Sequence, residues 1–263
     1  MLAFVHNHGM KISTISDIHV SKDRNYNYLL SFMSNKNVLE SDVIVFLGDI
    51  FDLMVGNHRE YIHEFEEFFL QLEKLLRNNK KVIFFEGNHD FHLEGLFKFF
   101  LENKKLEQNL FTYVKGGMPL NIKGKKYYFS HGDDIEIGNY SYKVYKLIVR
   151  SRFFNFLADG LFTYSFIKNL GQKISNDSRK RNHKYNSVTF LKKIKAKYRT
   201  SVESFFVRGL KGMDIDFIVC GHSHVEELYK SEQGFYYLNN GFIPSTKKFL
   251  HIENHNPQFL PLL

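Results

Sequence analysis

Five short apolar stretches, each followed at once by acidic, amide or imidazole side chains, limit what this chain of 263 residues can fold into. Each stretch is rich in β-branched or aromatic residues and has the length of a buried strand. The predicted strands are Lys11–Ile15, Asp42–Leu47, Lys81–Phe85, Lys126–Ser130 and Asp216–Cys220. Because apolar residues make up 43% of the chain, it can also bury a large core.

Between the second and third predicted strands, Tyr61–Asn78 carries apolar side chains at helical spacing. The order strand, helix, strand is typical of a mainly parallel α/β sheet. Near the end of the chain, Tyr236–Asn239 and Lys248–Ile252 are predicted as late antiparallel strands with a Gly-Phe-Ile-Pro turn between them. We therefore expect an α/β fold in which two sheets pack face to face with helices outside.

The polar residues that follow the five strands are the best candidates for a functional site. The motifs are Asp17-Ile-His19, Gly48-Asp49-Ile-Phe-Asp52, Gly87-Asn88-His89-Asp90, His131-Gly132-Asp133 and Gly221-His222-Ser223-His224. Ligands of open α/β sheets bind at the carboxyl edge, which is where these motifs would meet. Each motif is common by itself, but five of them, each after a strand, predict one shared site.

The types of donor in these motifs predict metal binding. In an extended Asp-x-His or His-x-His segment both side chains point the same way and can hold one ion or two neighbouring ions. Glycine before Asp49, Asn88 and His222 would let the chain turn sharply at the metal. Carboxylate, amide oxygen and imidazole together suit Mn, Fe or Zn better than Ca. Two ions about 3.5–4 Å apart can share a hydroxide and clamp a phosphoryl group, which predicts phosphoester hydrolysis.

The segment Tyr140–Lys211 differs from the rest of the chain in charge. It contains 17 Lys and Arg, three acidic residues and 14 aromatic residues, so its net charge is +14 and that of the remainder is −6. We predict a helical cap over residues 140–211, inserted into a core formed by residues 1–139 and 212–263. Because the cap lies between two ligand motifs, it should begin and end near the site. Its cations and rings suit an anionic partner with apolar chains, such as a membrane surface.

Cys220 is the only cysteine, so the chain cannot form an internal disulfide and a reducing compartment is expected. No apolar run reaches the roughly 18 residues of a spanning helix, and the first residues are too short for a signal peptide. We therefore expect a cytoplasmic protein.

The ordered motifs resemble those of the calcineurin-like metallophosphoesterase superfamily, from about Lys11 to Gly241. The resemblance implies a four-layer α/β sandwich with a dinuclear metal site. The implied ligands are Asp17, His19 and His224 for the first metal, Asn88, His131 and His222 for the second, and Asp49 as the bridge. The resemblance also implies that His89 donates a hydrogen bond or proton to the phosphoryl or leaving-group oxygen, and that Asp52 orients His89.

A narrower resemblance concerns the cap. The segments His131–Lys143, Ile148–Phe154 and Ser178-Arg179-Lys180 resemble the UDP-2,3-diacylglucosamine pyrophosphatases of lipid A biosynthesis. This implies a helical lid, two divalent ions with Mn expected, and attack of water on the uridine-side phosphorus. The products would be UMP and 2,3-diacylglucosamine 1-phosphate, released at the cytoplasmic face of the bacterial inner membrane. Ser178 and Arg179 are the predicted substrate contacts, because a guanidinium group matches phosphate oxygens.

Two alternative functions stay open at this point. One is a metallophosphoesterase that acts on a nucleotide, a phosphoprotein or another phosphodiester. The other is a noncatalytic scaffold of the same fold, which is disfavoured because all seven ligand positions are filled. The expected partners are a nucleotide-linked lipid and an anionic membrane surface. A nucleic-acid partner is not expected, since the chain lacks the length for the accessory domains of such nucleases.

Overall fold

The computed structural model describes residues 10–137, 151, 163–167, 169 and 188–262. The strands are β1 (Lys11–Ile15), β2 (Val43–Phe46), β3 (Met54–Val55), β4 (Lys81–Phe85), β5 (Asp90–Phe91), β6 (Phe111–Val114), β7 (Met118–Ile122), β8 (Lys125–Phe129), β9 (Phe217–Cys220), β10 (Glu226–Lys230), β11 (Tyr236–Asn240), β12 (Lys248–Glu253) and β13 (Asn256–Pro261). The α-helices of the described residues include α1 (Tyr26–Ser34), α2 (Lys36–Glu40), α3 (Glu60–Glu64), α4 (Glu66–Arg77), α5 (Glu94–Asn103), α6 (Val188–Phe205) and α7 (Ile243–Thr246). The five strands predicted ahead of the polar motifs are β1, β2, β4, β8 and β9, and their ends agree with the predictions to within one residue.

The first sheet has six strands in the order β13-β12-β1-β2-β4-β6. Strands β1, β2, β4 and β6 are parallel, and β12 and β13 extend one side as antiparallel strands. In the register of the parallel strands, Ile15 lies beside Phe46, and Phe46 lies beside Phe84. The motifs that follow β1, β2 and β4 therefore leave the sheet at the same edge.

The second sheet has five strands in the order β10-β11-β9-β8-β7. Its three central strands, β8, β9 and β11, are parallel, and Phe129 of β8 lies beside Val219 of β9. The motifs after β8 and β9 therefore leave this sheet together as well. A small parallel pair, β3 and β5, sets Met54 beside Asp90 next to the same edge of the first sheet.

The two large sheets pack face to face because the side chains of each strand alternate between its two sides. On β2, Val43 and Val45 belong to the cluster shared with the second sheet, whereas Ile44 and Phe46 belong to the cluster shared with the helices. Phe85 and Phe129 meet across the interface, with ring centroids 6.4 Å apart. The predicted four-layer sandwich of helices, two sheets and helices is confirmed.

The outer side of the second sheet is covered by the end of α6 and the π-helical turn Phe206–Leu210 that follows it. Val202, Phe206 and Leu210 are buried there against Ile218 and Tyr237. Most of the segment predicted as a cap lies outside the described residues, so the boundaries 1–139, 140–211 and 212–263 stay predictions. Among the described residues, no helix combines the length and apolar character needed to cross a bilayer.

The single helix predicted over Tyr61–Asn78 is wrong, because the structure divides it into α3 and α4 at Phe65. Phe65 has a non-helical backbone, with φ −114° and ψ 41°, and its ring lies 4.5 Å from that of Phe51. The break lets Tyr61 of α3 contact the small β3–β5 pair through Val55 while α4 covers the first sheet.

The two late strands were also predicted incorrectly as a connected antiparallel unit. β11 lies in the second sheet, parallel to β9, and β12 lies in the first sheet, antiparallel to β1. Gly241, with φ +72°, and the short helix α7 carry the chain from one sheet to the other. Both strands still contribute to the interface between the sheets, through Leu238 and Leu250.

Candidate metal centre

The predicted ligands lie on turns that leave the carboxyl ends of the strands. Five of them have left-handed backbone conformations, namely Asp17 (φ 54°), His19 (φ 53°), Asp49 (φ 53°), His222 (φ 64°) and His224 (φ 59°). The prediction that the Asp-x-His and His-x-His segments are extended is therefore wrong. The backbone is left-handed at both ligand residues of each segment instead, and their two side chains still reach one region.

The three glycines that precede Asp49, Asn88 and His222 serve two different purposes. Gly48 has φ +78° and provides the unusual backbone that the sequence predicted. Gly87 and Gly221 lack positive φ values, and their role is to leave space. A Cβ atom at Gly87 would collide with Asp49 Oδ1, and one at Gly221 would collide with Asp17 Oδ2. Both carboxylates therefore occupy room that only glycine can leave.

The first group of donors consists of Asp17, His19 and His224, whose candidate ligand atoms all lie within 4.8 Å of one another. His224 Nε2 lies 3.3 Å from Asp17 Oδ1 and 3.4 Å from His19 Nε2. The Asp17 carboxylate is completely buried, and it accepts hydrogen bonds from the backbone N–H of His222 and the hydroxyl of Ser16. These bonds fix the carboxylate in a position that faces two imidazoles.

The second group of donors is arranged around the side-chain oxygen of Asn88. This Oδ1 lies 3.0 Å from His131 Nε2 and 3.1 Å from His222 Nδ1. His131 Nδ1 donates a hydrogen bond of 2.8 Å to the carbonyl of Leu47, which leaves Nε2 as the nitrogen for a metal. One amide oxygen and two imidazole nitrogens thus converge on one point beside the first group.

Asp49 lies between the two groups and uses its two oxygens differently. Oδ1 accepts hydrogen bonds from the backbone N–H groups of Asn88, at 2.8 Å, and His89, at 2.9 Å. Oδ2 lies 3.8 Å from His19 Nε2 and 3.5 Å from His131 Nε2. One oxygen is therefore held by the backbone, and the other faces an imidazole from each group, as a bridging ligand requires.

A family model for calcineurin-like phosphoesterases matches residues 10–226. The chain belongs to this family. It is a metal-dependent phosphoesterase, and the family uses a dinuclear metal centre. The seven predicted ligand residues lie together in the structure, and their assignment to individual metals stays a prediction.

Curated relatives of this phosphoesterase include a UDP-2,3-diacylglucosamine hydrolase of Histophilus somni (strain 129Pt). It is 24% identical over 251 residues, which cover 94% of this chain and 97% of the relative. A protein of the same name from Psychromonas ingrahamii is 23% identical over 217 residues, 82% of this chain and 81% of the relative. Among solved structures, a dimetal phosphatase from Danio rerio is 10% identical, with a TM-score of 0.46 and 98% of each chain covered.

The electrostatics of the phosphoesterase site fit divalent cations. Burial, aided by His89, lowers the pKa of His19 to about 3, so this ring is neutral and can offer a lone pair. Burial also acts to lower the pKa of His131, but the Asp49 carboxylate outweighs it and raises that pKa to about 10. The pKa of Asp49 itself is held well below its usual range, because the imidazoles around it outweigh its burial. The buried carboxylates thus attract positive charge, and a metal would replace the proton of His131.

His89 is held by the backbone of Asp52, whose carbonyl accepts a hydrogen bond of 2.7 Å from Nδ1 of the ring. The Asp52 carboxylate pairs with Arg24 instead, with 2.6 Å between Oδ2 and Nη2. Asp52 therefore contacts His89 through its main chain, and not through the acidic side chain that the resemblance implied as the orienting group. The backbone N–H of Asp52 donates a hydrogen bond to the carbonyl of Val20. In this turn the Asp52 carbonyl faces His89, and the Asp52 side chain faces Arg24. The catalytic roles of His89 and Asp52 stay predictions.

Asp90 has a structural role in the site that the sequence analysis missed. Its carboxylate is completely buried and accepts hydrogen bonds from the backbone N–H groups of Asp49, Ile50, Phe51 and Gly87. Burial and the nearby Asp49 carboxylate raise the pKa of Asp90 to about 8, whereas these backbone donors oppose that rise. The only signal in the sequence was its place at the end of Gly-Asn-His-Asp. The predicted substrate contacts Ser178 and Arg179 lie outside the described residues.

Proposed function

We propose that this phosphoesterase hydrolyses UDP-2,3-diacylglucosamine to UMP and 2,3-diacylglucosamine 1-phosphate. The observation that carries the proposal is the extent of the match to the Histophilus somni relative, a protein of that activity by name. The match covers 94% of this chain and therefore includes most of the predicted cap as well as the metal-site motifs.

In this proposal Asp17, His19 and His224 would hold one Mn ion, and Asn88, His131 and His222 would hold the other. Asp49 would contact both through Oδ2, since Oδ1 is already engaged by two backbone N–H groups. When bound, such a pair of divalent cations supplies an activated water molecule and neutralises charge on the phosphoryl oxygens. Fe or Zn would suit the same donors.

His89 would act on the phosphoryl or leaving-group oxygen. Because its Nδ1–H is donated to the Asp52 carbonyl, Nε2 is the nitrogen that can transfer a proton. The ring lies beside that of His19, with the centroids 4.7 Å apart, so His89 is close to the first group of donors without belonging to either predicted ligand set. Its position suits general acid catalysis next to the metals.

The cap would bind the acyl chains and bring the protein to the cytoplasmic face of the bacterial inner membrane. In support, α6 exposes Leu191, Lys192 and Lys193, which combine apolar surface with positive charge. Cations near a surface of anionic lipids contribute about 1 kcal/mol each. Ser178 and Arg179 are proposed to contact the diphosphate.

The test is to incubate the purified, Mn-loaded protein with UDP-2,3-diacylglucosamine and to measure UMP and the lipid monophosphate. Asp49→Ala is the control, and it should lose metal and nearly all turnover. UDP-N-acetylglucosamine should be a poor substrate, because binding energy from the acyl chains helps to align the diphosphate. In ¹⁸O-water, the label should appear in UMP.

Two results would contradict the proposal. Label in the lipid phosphate would refute attack on the uridine-side phosphorus. Absence of cleavage of the diacylated substrate, together with rapid cleavage of simple nucleotides, would instead favour a phosphoesterase of general nucleotide substrates.

A further inference from the structure

A buried carboxylate connects helix α6 to one of the predicted metal ligands. Glu136 is only 7% exposed, and its Oε2 lies 3.3 Å from His222 Nε2. Its Oε1 forms an ion pair with Lys197 of α6. The other nitrogen of the same imidazole, His222 Nδ1, lies 3.1 Å from Asn88 Oδ1 in the second donor group. His222 is thus placed between a metal position and Glu136.

Two more contacts join α6 to this part of the site. Tyr198 is buried, and its ring centroid lies 6.3 Å from that of His222. The hydroxyl of Ser201 accepts a hydrogen bond of 3.1 Å from the backbone N–H of Ile137, the residue after Glu136. Lys197, Tyr198 and Ser201 occupy one face of α6, so the helix as a whole fixes the Glu136 segment.

We infer that Glu136 and Lys197 are positioning residues that make the second metal site depend on the docking of α6. A histidine that binds a metal through one nitrogen usually donates its other N–H to a carboxylate or carbonyl, which fixes the orientation of the ring. Glu136 fills this place for His222 and leaves Nδ1 for the metal. Lys197 supplies a positive charge to the buried Glu136 carboxylate, and this charge comes from the segment predicted as the cap. The inference rests on the proposed two-metal site.

Within the described part of the cap segment, these contacts link α6 to the second donor group. The first group, Asp17, His19 and His224, is held by bonds within the core, such as that from Ser16 to Asp17. A change in α6 should therefore alter the affinity of the second metal and leave that of the first unchanged.

The experiment is a titration of the metal-free full-length protein with Mn, by calorimetry and by electron paramagnetic resonance of the coupled ion pair. We expect two ions for the wild type. Glu136→Ala should weaken one of the two sites by about 10- to 100-fold, the usual effect of removing the carboxylate partner of a ligand histidine. Glu136→Met, which keeps the approximate size of the side chain but has no oxygen to accept from His222, provides the same comparison if the alanine variant fails to fold.

Lys197→Met should weaken the same site by a smaller factor, and Lys197→Arg should restore it. Lys193→Met is the matched control, because Lys193 is an exposed lysine of the same helix, and it should bind two ions as the wild type does. Unchanged binding in both Glu136 variants would overturn the inference. Unchanged binding in Lys197→Met would overturn the part assigned to α6. Failure of the wild type to cleave the diacylated substrate would refute the proposed function and would not alter these binding results.

Discussion

Replacement of Asp90 by Asn should destabilise the folded protein by about 2–6 kcal/mol. Asp90 Oδ1 accepts from the N–H groups of Asp49, at 2.8 Å, and Gly87, at 2.9 Å. Oδ2 accepts from those of Ile50, at 2.6 Å, and Phe51, at 3.2 Å. An Asn side chain keeps one oxygen, but its amide nitrogen cannot accept, so two buried donors lose their partner. Each such loss costs about 1–3 kcal/mol.

Thermal unfolding can be followed by far-ultraviolet circular dichroism, which suits a chain without tryptophan. For a protein of this size, 1 kcal/mol corresponds to about 2–4 °C in Tm, so Asp90→Asn should unfold roughly 4–24 °C lower than the wild type. Asp214→Asn removes the same charge from a carboxylate that is 87% exposed and should leave Tm nearly unchanged. Asp90→Ala removes both acceptors and should lower Tm further.

The reasoning depends on an ionised Asp90, and because burial and the Asp49 carboxylate raise the pKa of Asp90 to about 8, the variants are compared at a pH of about 9.5. If Asp90 were protonated in the folded protein, one of its oxygens would already carry a hydrogen, and the change to Asn would have little effect. A Tm for Asp90→Asn within about 2 °C of the wild type would therefore refute the carboxylate account. Metal content gives an independent check, because Asp90 holds the turn that carries Asp49, and Asp90→Asn should lose Mn where Asp214→Asn does not.

Three further predictions concern the metals, the space around them and the membrane. His89→Ala should keep both metals by elemental analysis and lose about 10²- to 10⁴-fold in turnover, and loss of one metal would instead make His89 a ligand. Gly221→Ala should lose the first metal, because the new Cβ would collide with Asp17. The control is Gly212→Ala, which should bind Mn normally because a Cβ at that position meets open space. Equal Mn binding in the two variants would contradict this prediction. Binding to anionic vesicles should weaken as salt rises, and equal affinity for neutral vesicles at low salt would argue against an electrostatic contribution from Tyr140–Lys211.

The gathering of the candidate ligands at one place could be predicted because its signal is local. Each motif directly follows an apolar stretch, and parallel strands place such positions at one edge of a sheet. Asp17, Asp49 and His131 therefore meet even though they are far apart along the chain. Both sides of β2 are buried, as the prediction of a buried strand requires, since alternate residues enter the two different cores.

Features that depend on contacts between distant segments could not be predicted in this way. The resemblance implied that Asp52 is the acid that orients His89, but the fold pairs the Asp52 carboxylate with Arg24, which lies 28 positions away in the sequence. In the sequence, Asp90 is only the last residue of the Gly-Asn-His-Asp motif. Its role as an acceptor for backbone N–H groups of the Asp49 turn is revealed by the fold, which brings that turn beside it. The division between α3 and α4 likewise results from the packing of Phe65 against Phe51, which helical spacing does not reveal.

The carboxylates of Asp17 and Asp49 accept backbone hydrogen bonds and are also predicted metal ligands, and the conformations of the ligand turns explain this double use. A left-handed backbone at a residue other than glycine costs about 1–3 kcal/mol, and five of the seven predicted ligands have one. The bonds from His222 N to Asp17, and from Asn88 N and His89 N to Asp49, stabilise these turns within the protein itself. Because one Asp49 oxygen is fixed in this way, the other is oriented toward both donor groups by the fold. The arrangement is therefore prepared by the chain, so that binding energy from the metals is not needed to build the turns and can contribute to holding the ions.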